Sequence, residues 1–236
     1  MTATVVLVHG AWHGAWCWEP VTAQLMAAGI PTVALDLPGH GTDTRPLTDL
    51  HGHGDAIRAA LDAIDGPVVL VGHSYGGAAI TDAGDHPNVA HLVYLAAFAL
   101  DEGESIIENN IEGGEHAELA DAIEFRGDGT LTVDPGRAAG IFYADCDPTD
   151  AGGFVARLVP ELTAGFSQTP RTVAWRTRPS TYVVCTADRA LAPGLQWNLA
   201  RRCTTTVEWP TSHSPFVSRP ELVTDLLLSI LHTIDS

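Results

Sequence analysis

Pro67-Val68-Val69-Leu70-Val71-Gly72-His73-Ser74-Tyr75-Gly76-Gly77-Ala78-Ala79-Ile80 is the stretch that decides how this chain folds. Its apolar opening reads as a buried strand, and the small residues from Gly76 onward read as a closely packed helix. Between them stands G-x-S-x-G in the strand–turn–helix context that a nucleophile elbow requires. A sharp turn at Ser74 lifts its hydroxyl out of the sheet, and glycines on either side keep side chains off the neighbouring backbone.

The same rhythm extends in both directions. Strands are predicted over Thr4–His9, Thr32–Leu35, Pro67–Gly72, Val89–Leu95, Thr181–Thr186 and Thr204–Glu208. Helices are predicted over Ala15–Ala28, Gly54–Ile64, Gly76–Ala83, Gly194–Arg201 and Pro220–Thr233. Continuous apolar strands alternating with helices imply an α/β fold whose parallel sheet is buried on both faces, with right-handed crossovers. The rhythm breaks between Ala99 and Thr177, which is acidic, glycine-rich and irregular. A small hairpin is expected there, from Ile123–Arg126 and Thr130–Val133 through Gly127-Asp128-Gly129, and a helix over Pro148–Leu158. The predicted organisation is a core of residues 1–98 and 178–236, with residues 99–177 inserted as a lid.

The formal charge is −17, with 12 Lys and Arg, which argues against a nucleic-acid backbone or an anionic membrane surface as partner. Thr4-Val5-Val6-Leu7-Val8 reads as a first strand without a basic flank, and no apolar run reaches membrane-spanning length. Cys17, Cys146, Cys185 and Cys203 form no C-x-x-C pair and read as reduced structural thiols, so a cytoplasmic location is expected.

A serine hydroxyl needs a base, usually a histidine oriented by a carboxylate, and on this architecture the chain order is Ser, Asp, His. Asp188 lies just past the strand ending at Thr186, and His213 just past the strand ending at Glu208. Both fall at the carboxyl edge of the sheet, with Ser74. Asp101 is the alternative acid; Asp145 and Asp147 read as ordinary carboxylates of the insertion. Oxyanion donors are expected from the N–H of Tyr75 and, after the first strand, of Ala11, which Gly10 allows to approach. Trp12, Phe98, Trp175 and Phe216 are candidate apolar pocket walls. His40, His51 and His53 lie in an early loop, but no Cys or carboxylate stands at ligand spacing, so no metal is assigned.

These residues resemble a known family. His9-Gly10-Ala11-Trp12-His13-Gly14-Ala15-Trp16-Cys17-Trp18, Leu35-Asp36-Leu37-Pro38-Gly39-His40-Gly41 and Gly72-His73-Ser74-Tyr75-Gly76-Gly77 look like the α/β-hydrolase superfamily, nearest to plant methylesterases and hydroxynitrile lyases and their bacterial esterase relatives. The segments around Asp188 and His213 match as well, and the insertion matches least. The resemblance implies an α/β-hydrolase fold, a mostly parallel central sheet flanked by helices with a lid insertion. It also implies a Ser74–His213–Asp188 triad with Ala11 and Tyr75 as oxyanion donors.

The lyase branch carries a threonine where Gly10 stands and a cyanide-stabilising lysine where Ser214 stands, so the departures favour an esterase. The expectation is a carboxylic-ester hydrolase acting through an acyl-enzyme on small to medium, mostly neutral and apolar substrates. Neither a metal nor an organic cofactor is needed. The implied partner is a small-molecule ester, with neither nucleic acid nor membrane, and a homodimer is compatible with the sequence. Two other readings stay open: cyanohydrin cleavage on the same scaffold, and a small-molecule receptor without turnover.

Overall fold

Side chains alternate across a strand, and the apolar runs here feed two cores at once. In the computed structural model, which describes residues 3–112 and 116–234, Val6, Val8, Leu70, Tyr94 and Val184 face one side of the main sheet. Their neighbours Val5, Leu7, Val71, Val93 and Cys185 face the other. Strands β1 (Thr4–Val8), β2 (Thr32–Leu35), β3 (Val68–His73) and β4 (Val89–Leu95) come before the inserted segment. Three short strands, β5 (Ile123–Phe125), β6 (Thr130–Val133) and β7 (Glu161–Leu162), lie inside it. Strands β8 (Ser180–Cys185) and β9 (Thr205–Trp209) follow it. The main sheet has the order β2-β1-β3-β4-β8-β9, and every pairing is parallel. The alternation of strands and helices therefore gave the right sheet type.

Ten α-helices are described: α1 (Glu19–Ala27), α2 (Leu50–Asp62), α3 (Tyr75–Ala83), α4 (Ile106–Glu112), α5 (Pro135–Phe142), α6 (Pro148–Val155), α7 (Ala164–Ser167), α8 (Pro193–Ala200), α9 (Pro215–Ser218) and α10 (Pro220–Ile234). α2 begins before the predicted Gly54, because the Asp49 side chain accepts from Gly52 N at 3.0 Å and caps it. Gly52 and Gly54 in its first turns hid that start, since glycine weakens a helical signal. Residues Ala15–Trp18 form a 3-10 turn ahead of α1, which starts with Pro20 in its first turn.

The predicted hairpin is present as antiparallel β5 and β6, and β7 joins them as a third strand that the sequence reading missed. Helices α4 and α5 were also missed. For α5 the signal was there: Asp134 caps Gly136 N at 2.8 Å ahead of Pro135, the same Asp-Pro start that Asp147 and Pro148 give α6. Residues 113–115 of the predicted lid lie outside the described residues. Among the described residues no helix is long and apolar enough to cross a membrane. All four cysteines are free.

The strand order fixes where a ligand can sit. The chain leaves β1 for β2 on one side and returns to β3 on the other. That reversal opens a crevice at the carboxyl ends of β1 and β3.

Candidate active site

Among the described residues three non-glycine residues have left-handed backbone, and all three follow a strand at this edge: Trp12 after β1 (φ 64), Ser74 after β3 (φ 52) and Ala96 after β4 (φ 44). Such conformations cost of order 1–3 kcal/mol each and persist only where the surroundings impose them. At Ser74 they do. Its N–H donates to Leu95 O at 3.2 Å, and its carbonyl accepts from Gly77 N at 3.0 Å and Phe98 N at 3.1 Å. A Cβ on Gly76 would lie 2.6 Å from His9 O, so the helix can follow the turn this closely only as glycine.

The first-strand loop presses against this elbow. A Cβ on Gly10 would come within 2.9 Å of His73 Nδ1 and 3.0 Å of Ser74 Cβ. Ala11 and Tyr75 both line the cavity that contains Ser74. Tyr75 is the first residue of α3, so its N–H has no partner within the helix. The Ala11 peptide is held from its carbonyl side, where His13 Nδ1–H donates to Ala11 O at 2.8 Å. Tyr143 in turn donates its hydroxyl to His13 Nε2 at 2.7 Å. Burial pushes the His13 pKa down to about 4, so the ring is neutral, as this pair of bonds requires.

The His213 ring packs against that of His73 on the elbow, with centroids 4.4 Å apart, and its Nδ1 lies 2.7 Å from Asp188 Oδ2, the His213 and Asp188 side chains both being buried. The carboxylate accepts that proton, which leaves Nε2 as the free basic nitrogen. Asp188 is held by four donors. Oδ1 accepts from Ala190 N at 2.7 Å and Leu191 N at 3.0 Å, and Oδ2 accepts from Gln196 Nε2 at 2.8 Å as well as from His213. Gln196 is fixed by accepting from Cys185 N at 2.9 Å. The His213 backbone is tied to the elbow, since His73 Nε2–H donates to His213 O at 2.9 Å. Burial holds the His73 pKa well below its ordinary value.

The cavity beside Ser74 measures about 110 Å³ and is walled mainly by apolar groups, among them Trp12, Phe98, Leu131, Phe166 and Leu191. Two predicted wall residues are elsewhere, which corrects the sequence reading. Phe216 is fully buried behind the histidines, 4.6 Å from the His73 ring and 4.7 Å from Trp18. Trp175 donates its indole N–H to Leu100 O at 2.8 Å and stacks beneath Arg176 and Arg202. An aromatic's sequence position reports burial but not the face it occupies, and here both were packing residues.

Asp101, the alternative acid, is ion-paired with Arg176. Asp145 has a more specific position than an ordinary surface carboxylate: its Oδ2 accepts from Ser212 N at 2.9 Å and Ser218 Oγ at 3.1 Å, bracketing the His213 loop. Gln196 and Asp145 carried no motif, because a buried amide and a loop carboxylate acquire these partners only on folding. His51 and His53 lie on α2 and not in a loop. His51 Nε2 is 2.9 Å from Thr169 O, while His53 turns inward to Tyr75 OH at 2.8 Å.

Residues 5–226 match the model of the family described as "Alpha/beta hydrolase family". Methylesterase 2 of Arabidopsis thaliana is 29% identical over 256 residues, covering 95% of this chain and 94% of the relative. A carbendazim hydrolyzing esterase of Nocardioides sp. is 39% identical over 116 residues, an alignment spanning 44% of this chain and 46% of that protein. Among solved structures, a pyrethroid hydrolase from Sphingobium faniae superposes with a TM-score of 0.83 at 25% identity, covering 98% of both chains.

Proposed function

This chain belongs to the alpha/beta hydrolase family, and from that premise we propose that it is a serine carboxylic-ester hydrolase with Ser74 as nucleophile, His213 as base and Asp188 as the orienting acid. The observation that carries the reading is the 2.7 Å bond between His213 Nδ1 and Asp188 Oδ2, held against an elbow whose serine stands at φ 52 on an apolar cavity.

Ser74 Oγ attacks the acyl carbon while His213 Nε2 takes its proton, and the imidazolium formed is stabilised by Asp188. The carbonyl oxygen gains negative charge, which the N–H groups of Ala11 and Tyr75 receive. His213 then returns the proton to the leaving alcohol and the acyl-enzyme forms. Water, deprotonated by His213, attacks it and releases the acid. No step calls for a group that the chain does not carry.

Residues 99–177 act as the lid. Ile106, Leu131 and Phe166 line the cavity, and Trp12 donates its indole N–H to Leu131 O at 3.1 Å while its carbonyl accepts from Val159 N at 2.9 Å. The lid therefore shapes the acyl pocket and also holds the strained residue next to Ala11. The apolar walls suit an uncharged acyl or alcohol group of small to medium size. The crowding at Gly10 supports hydrolysis over cyanohydrin cleavage, since the branched threonine of the lyases would collide with His73 and Ser74.

The test is hydrolysis of p-nitrophenyl acetate, butyrate and octanoate by wild type and Ser74→Ala, together with fluorophosphonate labelling. Turnover and labelling lost in the variant support the reading. A folded wild type that neither turns over these esters nor takes the probe refutes it.

A further inference from the structure

Beneath the site, on the side of Tyr75 away from the nucleophile, three buried side chains converge from three parts of the chain. His40 comes from the loop after β2, His53 from α2 and Glu161 from β7. One ligating atom from each lies within 4.8 Å of the other two. His40 Nε2 and Glu161 Oε2 are 2.9 Å apart. These two atoms and His53 Nε2 are all shielded from solvent and lack an aligned hydrogen bond, although His40 and Glu161 stand as an ion pair. Buried polar atoms are seldom left so. The three side chains converge, and two of them are in contact without hydrogen-bond alignment, a donor set that suits a shared cation.

The outer faces of the rings support this arrangement. His40 Nδ1 is 3.1 Å from Pro38 O, and only its N–H can make that bond, so Nε2 is the nitrogen presented to Glu161, where a cation would replace a proton between them. His53 Nδ1 is 2.8 Å from the Tyr75 hydroxyl. Histidine ligands characteristically have their second nitrogen fixed in this way. Asp36 and Asp49 lie near enough to act on His40 and His53 respectively, and so offset added positive charge.

We propose that His40, His53 and Glu161 form a zinc site that clamps the inserted segment onto the core. Two imidazoles and one carboxylate suit Zn²⁺, with ligand distances of about 2.0–2.2 Å and one enclosed water, taken in with the metal, completing the four. Ligands on a tetrahedral zinc stand roughly 3.3 Å apart, so the 2.9 Å His40–Glu161 pair opens slightly while His53 draws in. The role is structural. Zinc would join the β2 loop, α2 and β7, and Thr163 and Phe166, just beyond Glu161, line the cavity beside Ser74. The sequence assigned no metal because no Cys or carboxylate stands at ligand spacing from His40 and His53; the fold brings a carboxylate from the insertion.

Untagged full-length protein, expressed in zinc-supplemented medium and desalted, is analysed for metal by mass spectrometry beside Glu161→Gln and His53→Asn. Chains unfolded and refolded with Zn²⁺ or with EDTA are measured in parallel, so that slow entry to a buried site cannot mask binding. Folding of each variant is checked by circular dichroism. The expected result is about one zinc per wild-type chain, at least tenfold less in each variant, and a higher melting temperature for the zinc-refolded wild type only. Zinc-free wild type by both routes, or zinc retained equally in the variants, overturns the proposal. Ester hydrolysis is recorded separately, so loss of the clamp is distinguishable from failure of the catalytic reading.

Discussion

Gln196 Nε2 donates to Asp188 Oδ2 at 2.8 Å, the same oxygen that receives His213 Nδ1–H at 2.7 Å. The amide thus sets the position of the carboxylate that orients the base, from a fully buried site on α8. Replacing Gln196 by Ala is expected to lower kcat on p-nitrophenyl esters on the order of 10-fold, with KM little changed. Glu at this position would place a second carboxylate beside Asp188 and shift the pH–rate profile upward. A Gln196→Ala enzyme with a wild-type kcat and pH profile would show that the amide serves packing alone.

Asp188→Asn keeps the shape and the backbone donors but favours the wrong tautomer of His213. The expected loss in kcat is about 10⁴-fold, with folding retained by circular dichroism. Asp101→Asn, which weakens the contact with Arg176 but keeps an oxygen to accept from Glu102 N, is expected to fall less than about 3-fold, within the range of an exposed ion pair. Comparable losses in both variants would overturn the assignment of the acid.

Gly10→Ala places a methyl group 2.9 Å from His73 Nδ1 and 3.0 Å from Ser74 Cβ. The loop must move away, taking the Ala11 N–H with it. Loss of one oxyanion donor costs about 10²-fold or more in kcat. Steady-state kinetics read this directly, and an unchanged kcat would remove Ala11 from the oxyanion site.

Arg171 holds α3 to the carboxyl-terminal part of the inserted segment. Its NH2 lies 2.6 Å from Asp82 Oδ2, a carboxylate with 0% exposure, and its backbone N–H donates to the other oxygen at 2.6 Å. Arg171→Ala leaves Asp82 buried with one fewer counter-charge. Because the arginine is itself part-exposed, the expected cost is about 2 kcal/mol, below the range for wholly buried pairs. That corresponds to a melting temperature lower by roughly 5 °C, measured by calorimetry.

Acid should destabilise the fold well before the carboxylates titrate. His13 has a pKa lowered by burial to about 4, against 6.5 in the unfolded chain, and His73 is lowered in the same direction. Between these values the unfolded chain binds protons that the native state refuses, so stability rises with pH across that window. The stabilisation is complete above about pH 6.5 and is lost as pH falls toward 4. Melting temperatures taken from pH 7.5 to 4.5 should decline below pH 6.5, with a shallower slope in His13→Gln. A flat profile would mean that these rings take protons in the folded state.

The sequence by itself determined the parallel sheet, the positions of its strands, the elbow at Ser74 and the candidates Asp188 and His213. All of these follow from local periodicity or from position at a strand end, and a strand's carboxyl terminus projects to the same edge whatever the loops do. Only the tertiary structure decided which groups support them. Gln196 and Asp145 gain their meaning from partners distant in sequence, and β7 exists as a strand only because β6 lies beside it. Phe216 and Trp175 show the same limit from the other direction: hydrophobicity told that they would be buried, while the packing of two cores placed both away from the cavity. Glu161 is the clearest case. Nothing near it in the sequence pairs it with His40 and His53, because their meeting depends on how the insertion folds back over the core.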